Sequence, residues 1–320
     1  MMRIFSYLFS FLVLGLGTVS AQGVISLTDL KQEVKGGLSE VNEDLFVEGV
    51  VISRHLCHNL ETNPNTAYTT VSAGPDRRTA YIQSPDGILG LGIHFDETLY
   101  PEGVKLSQWA NVRINLKGTN LTLINGVGLS AYGLTEENIV SAVDGPVLPA
   151  KERAVSQLTD DDVFTYVRIK DCECIFKDGT YADIFEKYAI ESPLNKACKP
   201  FKTMDGWASL LCDANGDFIN ILVNGRAPWR RDGNGVHQGV FDVEGVLVST
   251  QMPRYATENL TRYQLRPMSE DAFSVTSAQS DWKTLCMWNW NTSGPDFQPV
   301  YGKANMICNV PGAIMGRCAE

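Results

Sequence analysis

Histidine is scarce in this sequence: four occur among 320 residues, which limits metal binding and acid–base catalysis. No Gly-x-Ser-x-Gly segment is present, so the nucleophile elbow of α/β-hydrolases is excluded. The glycine-rich segment 87–92 lacks the GxGxxG spacing and precedes no helical pattern, so it predicts no dinucleotide site. No catalytic constellation can be identified. We therefore predict that the chain is not an enzyme and holds no cofactor.

Long apolar runs are also missing, except for one at the start of the chain. Residues 4–16 are mostly apolar and follow Arg3, while Val19 and Ala21 are small residues at the two positions that a signal peptidase reads. The run is too short to span a bilayer comfortably, since that needs roughly 20 apolar residues. Residues 1–21 therefore predict a cleaved signal peptide, with a retained membrane anchor as the alternative. We expect the mature chain in the periplasm, at the cell surface or outside the cell, without a transmembrane segment.

Basic residues are outnumbered by acidic ones. The chain has 27 Lys and Arg against 37 Asp and Glu, and removal of Arg3 with the signal peptide leaves a formal net charge of −11. Such a charge repels phosphate backbones on average, although it does not exclude a local basic patch. We therefore favour a glycan or a protein over nucleic acid as the partner.

Cysteine, in contrast, is plentiful. The eight cysteines are Cys57, Cys172, Cys174, Cys198, Cys212, Cys286, Cys308 and Cys318. An even number in an oxidising compartment permits disulfides. On a strand, the sulfurs of Cys172 and Cys174 lie on the same face, which suits two separate partners better than one bridge. Two interpretations stay open: Cys172 or Cys174 pairs with Cys198 or Cys212, or these residues are buried thiols.

The chain divides into two similar halves. We predict a first domain over residues 22–143, a linker over 144–155 and a second domain over 156–273. The linker starts with a turn-rich segment without periodicity, DGPVLP. Residues 274–320 do not fit the repeat; they are either an extension or the beginning of a further domain.

Each half contains five strand signals, in which apolar and polar residues alternate between turn-forming segments. They lie at 45–53, 79–83, 88–95, 112–117 and 121–124, and again at 163–176, 207–212, 218–223, 240–249 and 263–266. Helical signals are few: an N-cap at Ser26 before a short helix, and a periodicity over 135–143. The sequence therefore predicts an all-β fold.

Glycine interrupts one long strand in each half, in FVEGVV at 46–51 and FDVEGV at 241–246. A residue without a side chain permits strong bending at such a position. The segments LFVEGVVIS, TAYIQSPDGILGLGIHF and ANVRINLKGTNLTLINGVGLSAYG together resemble the OB-fold domain of exported Bacteroidota proteins that carry a domain of unknown function. They are similar also to OB-fold modules of extracellular bacterial nucleases. The resemblance covers about residues 26–143 well and 156–273 more loosely.

This resemblance implies two tandem OB-like five-stranded barrels and supplies no catalytic residues. OB folds commonly bind ligands on their second and third strands and the adjoining loops. We therefore expect the second and third strands, with the long loops 54–78 and 177–205, to face a ligand. Fold alone does not identify that ligand.

Two segments were considered as metal sites. His55, Cys57 and His58 lie within four residues, but on a strand end His58 points away from the other two, and a structural zinc site needs four ligands. DANGD at 213–217 begins like a calcium loop but lacks the glycine at its sixth position and the glutamate at its twelfth. We predict a β-turn there, as at SPDG in the first half, and no metal in either place.

The most unusual segment surrounds Trp229, which lies among Arg226, Arg230 and Arg231 in an otherwise acidic chain. Tryptophan and arginine often dominate the energetics of binding surfaces. Trp229, Arg230 and Arg231 are therefore the candidate ligand-binding residues. The alternative is that Trp229 closes the end of the second barrel and the arginines lie in water.

The sequence thus predicts a non-catalytic exported binding or scaffold protein whose ligand is a glycan or a protein. The alternative is an accessory module of an extracellular nuclease that binds single-stranded nucleic acid through aromatic stacking.

Overall fold

The computed structural model describes residues 23–60, 77–99, 104–174, 206–224, 239–249 and 262–277, together with residues 227 and 237. Within these residues the chain forms one α-helix and fourteen strands in two sheets. The first sheet comprises β1 (Phe46–Val51), β2 (Thr79–Gln83), β3 (Gly90–Phe95), β4 (Asn111–Asn115), β5 (Asn120–Ile124), β6 (Gly128–Leu134) and β7 (Ile139–Val143). The second comprises β8 (Lys151–Arg153), β9 (Tyr166–Cys174), β10 (Gly206–Cys212), β11 (Phe218–Asn224), β12 (Val240–Ser249), β13 (Tyr263–Arg266) and β14 (Phe273–Ser277). The all-β prediction is confirmed.

The helix α1 (Leu27–Lys35) begins where the sequence predicted a helix. The Ser26 hydroxyl accepts a hydrogen bond from the backbone N–H of Asp29 at 3.0 Å, which satisfies one of the unpaired donors at the helix start. Asp29 in the first turn and Lys35 in the last complement the helix dipole. Leu27 and Leu30 are buried and attach the helix to the first core.

The strand order of the first sheet is β5-β6-β3-β2-β1-β4-β7. All neighbouring pairs are antiparallel except β3 and β6. The second sheet has the order β14-β12-β13-β11-β10-β9-β8, and β12 also pairs with β9. Here β11–β13 and β8–β9 are parallel, and the other pairs are antiparallel.

The two sheets repeat one plan. The parallel pair β3–β6 corresponds to β11–β13, and β7 lies beside β4 as β14 lies beside β12. The strand β12 corresponds to both β4 and β5. It pairs with β9, as β4 pairs with β1, and with β13, as β5 pairs with β6. The parallel pairing of β8 with β9 corresponds to the bridge between Val24 and Phe46. We call residues 23–143 the first lobe and residues 151–277 the second lobe.

The internal glycines Gly49 and Gly245 occupy equivalent places in the two lobes. A Cβ atom on Gly49 would lie 2.8 Å from the carbonyl oxygen of Gln83, and one on Gly245 would lie 2.5 Å from that of Arg266. Each glycine therefore permits a close approach of a neighbouring strand where the chain bends.

Several strands were not predicted. Five strand signals per half become seven strands per sheet, since β6, β7, β8 and β14 were missed. The predicted helical periodicity over 135–143 is wrong: a single 3₁₀ turn, Glu136–Asn138, leads into β7. The strand β8 lies inside the segment predicted as a linker and pairs with β9.

Both predicted hairpin turns are confirmed. Gly87 N–H donates to the Ser84 carbonyl at 2.8 Å, and the Asp86 carboxylate accepts from Ile88 N–H at 3.0 Å. In the second lobe, the Asp213 carboxylate accepts hydrogen bonds from three backbone N–H groups, those of Val155, Asn215 and Asp217, at 2.9–3.0 Å. That carboxylate stabilises the turn and fastens it to the segment after β8.

Candidate functional site

The outer face of the first sheet can be traced from the strand register, because side chains directly opposite each other on paired strands lie on the same face. Two rows of such residues cross β2, β3, β6 and β5. The first row is Thr79, His94, Tyr132 and Asn120. The second row is Tyr81, Gly92, Ser130 and Thr122. The alternate residues of these strands, such as Leu91, Ile93, Leu129 and Ala131, fill the first core.

The second lobe covers part of this face through Phe164. A Cβ atom on Gly90 would lie 1.8 Å from the Phe164 carbonyl oxygen, and one on Gly128 would lie 2.9 Å from the Phe164 ring. The ring also stacks on Tyr81, with 4.9 Å between centroids and 27° between planes. Phe164 itself has a φ of 63°, a conformation that costs energy for a bulky residue. Glycines on the first lobe thus form a recess that a strained aromatic residue of the second lobe fills.

Further contacts fix the two lobes against each other. The Gln83 side-chain oxygen accepts from Tyr166 N–H at 3.1 Å, and Asn125 donates to the Ser249 carbonyl at 3.0 Å. Trp109 meets the Tyr166 ring edge-on, with 5.2 Å between centroids. The core of the second lobe also includes four residues of the first: Ile52, Cys57, Leu60 and Tyr81. These four residues therefore pack into the second core, while the first lobe also has a core of its own.

Asp162 is the centre of a group of polar contacts beside this interface. Its buried carboxylate lies 2.8 Å from Lys151 Nζ and 3.3 Å from Arg153 Nε, and it accepts from Thr159 N–H at 2.9 Å. Burial alone raises the pKa of Asp162, but hydrogen bonds from Lys151 and Thr159 and the charges of Lys151 and Arg153 outweigh burial and hold the pKa below its ordinary value. Lys151 also donates to the Gly87 carbonyl of the first lobe at 3.4 Å.

The second and third strands of the first lobe, expected to face a ligand, are largely covered in the structure. All five residues of β2 are buried, and so are five of the six residues of β3. The reason is the cover that Phe164 and its neighbours provide. Of the loops expected to contribute, residues 61–76 and 177–205 lie outside the described residues. Cys57 and Leu60, from the described part of the first loop, belong to the shared core.

Among the described residues, one strip of the face has exposed side chains at Asn120, Thr122 and Tyr132, beside the half-buried His94 and the buried Thr79. We call Thr79, His94, Asn120, Thr122 and Tyr132 the Tyr132 strip. Tyr132 is 37% exposed, and Asn120 and Thr122 are exposed beside it. The His94 ring lies parallel to the Tyr132 ring, with 4.2 Å between centroids and 8° between planes. The Thr79 hydroxyl is 3.1 Å from His94 Nδ1.

His94 is electrically neutral at neutral pH. Desolvation lowers the pKa of its imidazole to about 4, because its surroundings favour the uncharged form. Its Nε2 is buried and has no hydrogen-bond partner among the described residues. The strip therefore offers an aromatic surface edged by hydroxyl and amide groups, and it bears no formal charge near neutral pH. Nothing in it supplies a nucleophile or a charged acid–base pair.

The residues predicted as a binding site, Trp229, Arg230 and Arg231, lie outside the described residues. In the segment considered for zinc, the Cys57 sulfur is buried 3.5 Å from the Met268 sulfur, across the interface. No group of three or more potential metal ligands occurs within the described part of the chain.

The four described cysteines, Cys57, Cys172, Cys174 and Cys212, are all buried. Cys172 is a thiol, so the proposed pairing of Cys172 is wrong. Its sulfur lies 3.8 Å from the Ile169 carbonyl, and desolvation, with nearby carboxylates, raises its pKa well above the ordinary value. Such a thiol is unreactive at neutral pH. Cys198, the other predicted partner, lies outside the described residues.

The sequence reasoning did not find the Tyr132 strip. One usable signal was present, since Gly128, Ser130 and Tyr132 alternate with apolar Leu129 and Ala131. The flanking glycines made that segment resemble a loop rather than a strand. The contact between His94 and Tyr132 also depends on the parallel pairing of β3 with β6, which no local pattern reveals.

No model of a known protein family matches the chain, and a search of curated proteins gives no match. Among the described residues, no helix has the length and apolar character needed to cross a membrane.

Proposed function

We propose that the chain is a non-catalytic, exported binding protein built from two OB-like barrels, and that it binds a neutral carbohydrate on the Tyr132 strip. The barrel assignment draws support from strand pairing. In the second lobe, β9 pairs with β10 and β12, β10 with β11, β11 with β13, and β13 with β12. This is a five-strand cycle, the connectivity expected of an OB fold. In the first lobe, β4 and β5 share the role of β12.

One observation carries the ligand assignment: an exposed tyrosine ring, supported from behind by a neutral histidine, lies among uncharged polar side chains. A sugar ring presents an apolar face that stacks on an aromatic ring, and its hydroxyls need hydrogen-bond donors and acceptors. Asn120 and Thr122, two residues of β5 with exposed side chains, supply both. The parallel His94 ring fixes the orientation of the Tyr132 ring before any ligand binds, which lowers the entropy cost of binding.

The nucleic-acid alternative is less well supported. The strip contains no lysine or arginine, and the mature chain carries a net charge of −11. Single-stranded nucleic acids bind to grooves that combine aromatic rings with positive charge. The strip has the aromatic component and lacks the basic one.

Export is proposed from residues 1–21, which lie outside the described residues. Their basic, apolar and small-residue regions follow the order of a signal peptide.

Binding experiments with the purified mature chain test the proposal. The probes are a panel of neutral oligosaccharides and a single-stranded oligothymidylate, each at low and high salt. We expect binding to an oligosaccharide that salt leaves unchanged. Tyr132→Ala should weaken this binding about tenfold, whereas Tyr132→Phe, which keeps the ring, should retain most of it. Val143→Ala, a substitution of an exposed residue on β7, serves as the matched control.

Two results contradict the proposal. Salt-sensitive binding of the oligothymidylate that depends on Tyr132 would favour the accessory nucleic-acid module. Oligosaccharide binding that Tyr132→Ala leaves intact would place the ligand elsewhere on the chain.

A further inference from the structure

The strand β7 is an open edge of the first sheet. It pairs with β4 through Ala142 and its neighbours, and β4 is the one described strand beside it. Four of its five residues are exposed, with Val140 at 52% and Val143 at 64%. Val147, shortly after the strand, is 73% exposed. Three of the most exposed large apolar side chains of the described chain thus lie within eight residues of each other.

An open edge of this kind normally carries protection. Natural sheets protect their edges with lysine, proline or inward-pointing charge, because the free N–H and C=O groups can pair with another strand. The sequence of β7, IVSAV, contains none of these residues. The equivalent strand β14, FSVTS, is also uncharged, and its Val275 is 53% exposed. Within the described residues, each lobe therefore has an edge strand without such protection.

Acidic residues flank this edge. Glu136 and Glu137 form the turn before β7, and Asp144 follows it directly. No lysine or arginine occurs between residues 134 and 150. Glu270 and Asp271 precede β14 in the same way. An occupant of the edge therefore meets an apolar centre and acidic ends.

We propose that the β7 edge is a docking site for an extended segment of a partner protein, in which residues of high β-propensity are flanked by lysine or arginine. Backbone hydrogen bonds to β7 supply affinity, the exposed valines supply apolar contact, and the acidic flanks supply orientation and selectivity. This site lies on β7, separate from the carbohydrate site of the Tyr132 strip, and it does not depend on that assignment.

Charge also argues against a second copy of the chain as the occupant. If two β7 strands paired antiparallel about Ser141, Asp144 of one copy would lie opposite Asn138 of the other, next to Glu137. The acidic ends of the two copies would therefore lie close together and repel each other. A basic-flanked segment avoids this repulsion and replaces it with attraction.

Peptide binding tests this inference. The probe is a fluorescent peptide of alternating valine and threonine with two lysines at each end, and its control has two glutamates at each end. We expect the full mature chain to bind the lysine-flanked peptide at least about tenfold more tightly than the glutamate-flanked one, with a difference that shrinks as salt increases.

Variants locate the site. Val140→Lys combined with Val143→Lys places charge on the edge without changing β4, and should weaken binding about tenfold. Val147→Lys makes the same exposed change beyond the strand and should leave binding close to that of the wild type. Thermal unfolding of each variant shows that the fold is retained.

Three outcomes overturn the inference. They are equal binding of both peptides, equal weakening by Val147→Lys, and a concentration-dependent dimer in sedimentation that the double variant abolishes. The last result would identify a second copy as the occupant.

Discussion

Phe164 stacks on Tyr81 across the boundary between the lobes, with 4.9 Å between ring centroids. This contact explains why the expected ligand face is unavailable over most of its area. The second lobe inserts an aromatic residue into a recess made by Gly90, Gly92 and Gly128. The two lobes thereby become one packed unit, and of the two described rows on that face Asn120, Thr122 and Tyr132 are exposed.

Replacement of Phe164 by alanine should destabilise both lobes together. The substitution empties the glycine recess and removes the stack on Tyr81, so we expect a loss of roughly 3–5 kcal/mol in the free energy of unfolding. Chemical denaturation measures it. Ile88→Ala, at an exposed position of the β2–β3 turn, should cost less than about 0.5 kcal/mol. A loss for Phe164→Ala as small as that of the control would show that the interface contributes little to stability.

Asp162 should make stability depend on pH in the acid range. Its pKa is lowered in the folded protein, so its contribution is complete above the ordinary aspartate pKa of about 3.9 and disappears as pH falls through the lower folded value. Asp162→Asn should therefore destabilise the protein at pH 7, by about 3 kcal/mol if it leaves Lys151 and Arg153 without their carboxylate. The difference from wild type should shrink below about pH 4. A difference that stays constant from pH 7 to pH 3 would contradict this account.

The sequence predicted some strands with their observed bounds and missed others for physical reasons. The bounds of β12 and β13 agree, and the many valines of β12 explain its strong strand signal. The strand β8 has the sequence KER, which contains no hydrophobic pattern that could predict a strand. It forms because it pairs in parallel with the neighbouring strand β9. The short edge strand β7 has mostly exposed residues, so it shows no alternation.

The candidate site was harder to predict than the fold. The exposure of the strip depends on which part of the sheet face is covered. Phe164 covers that part, and it lies more than 30 residues after Ser130 in the sequence. The tripeptide Val163-Phe164-Thr165 has the composition of a strand and predicts the beginning of one. In the structure, Phe164 has a positive φ, which reverses the local backbone. Long-range packing of this kind leaves no local signal.

Trp229→Ala should distinguish a binding surface from a structural residue. If Trp229, Arg230 and Arg231 form a binding surface, the substitution should leave the free energy of unfolding nearly unchanged and weaken ligand binding. A loss of roughly 3–5 kcal/mol would instead show that Trp229 is a buried core residue. Thermal unfolding of the variant gives this answer before any ligand is known, and a loss of that size would remove the patch as a site.

His94 should destabilise the protein as pH falls between about 6.5 and 4. Its unfolded form gains a proton near pH 6.5, whereas the folded form resists protonation until about pH 4, so protons favour unfolding across this interval. The shift corresponds to at most about 3 kcal/mol, and partial exposure of the ring should reduce it. His94→Phe keeps a ring against Tyr132 but cannot be protonated, so its stability should change less over this interval than that of the wild type. Tyr132→Phe, which keeps the imidazole, should retain the wild-type loss. Unfolding free energies measured from pH 7.5 to pH 4 test both expectations, and parallel curves for wild type and His94→Phe would show that the imidazole is not desolvated as described.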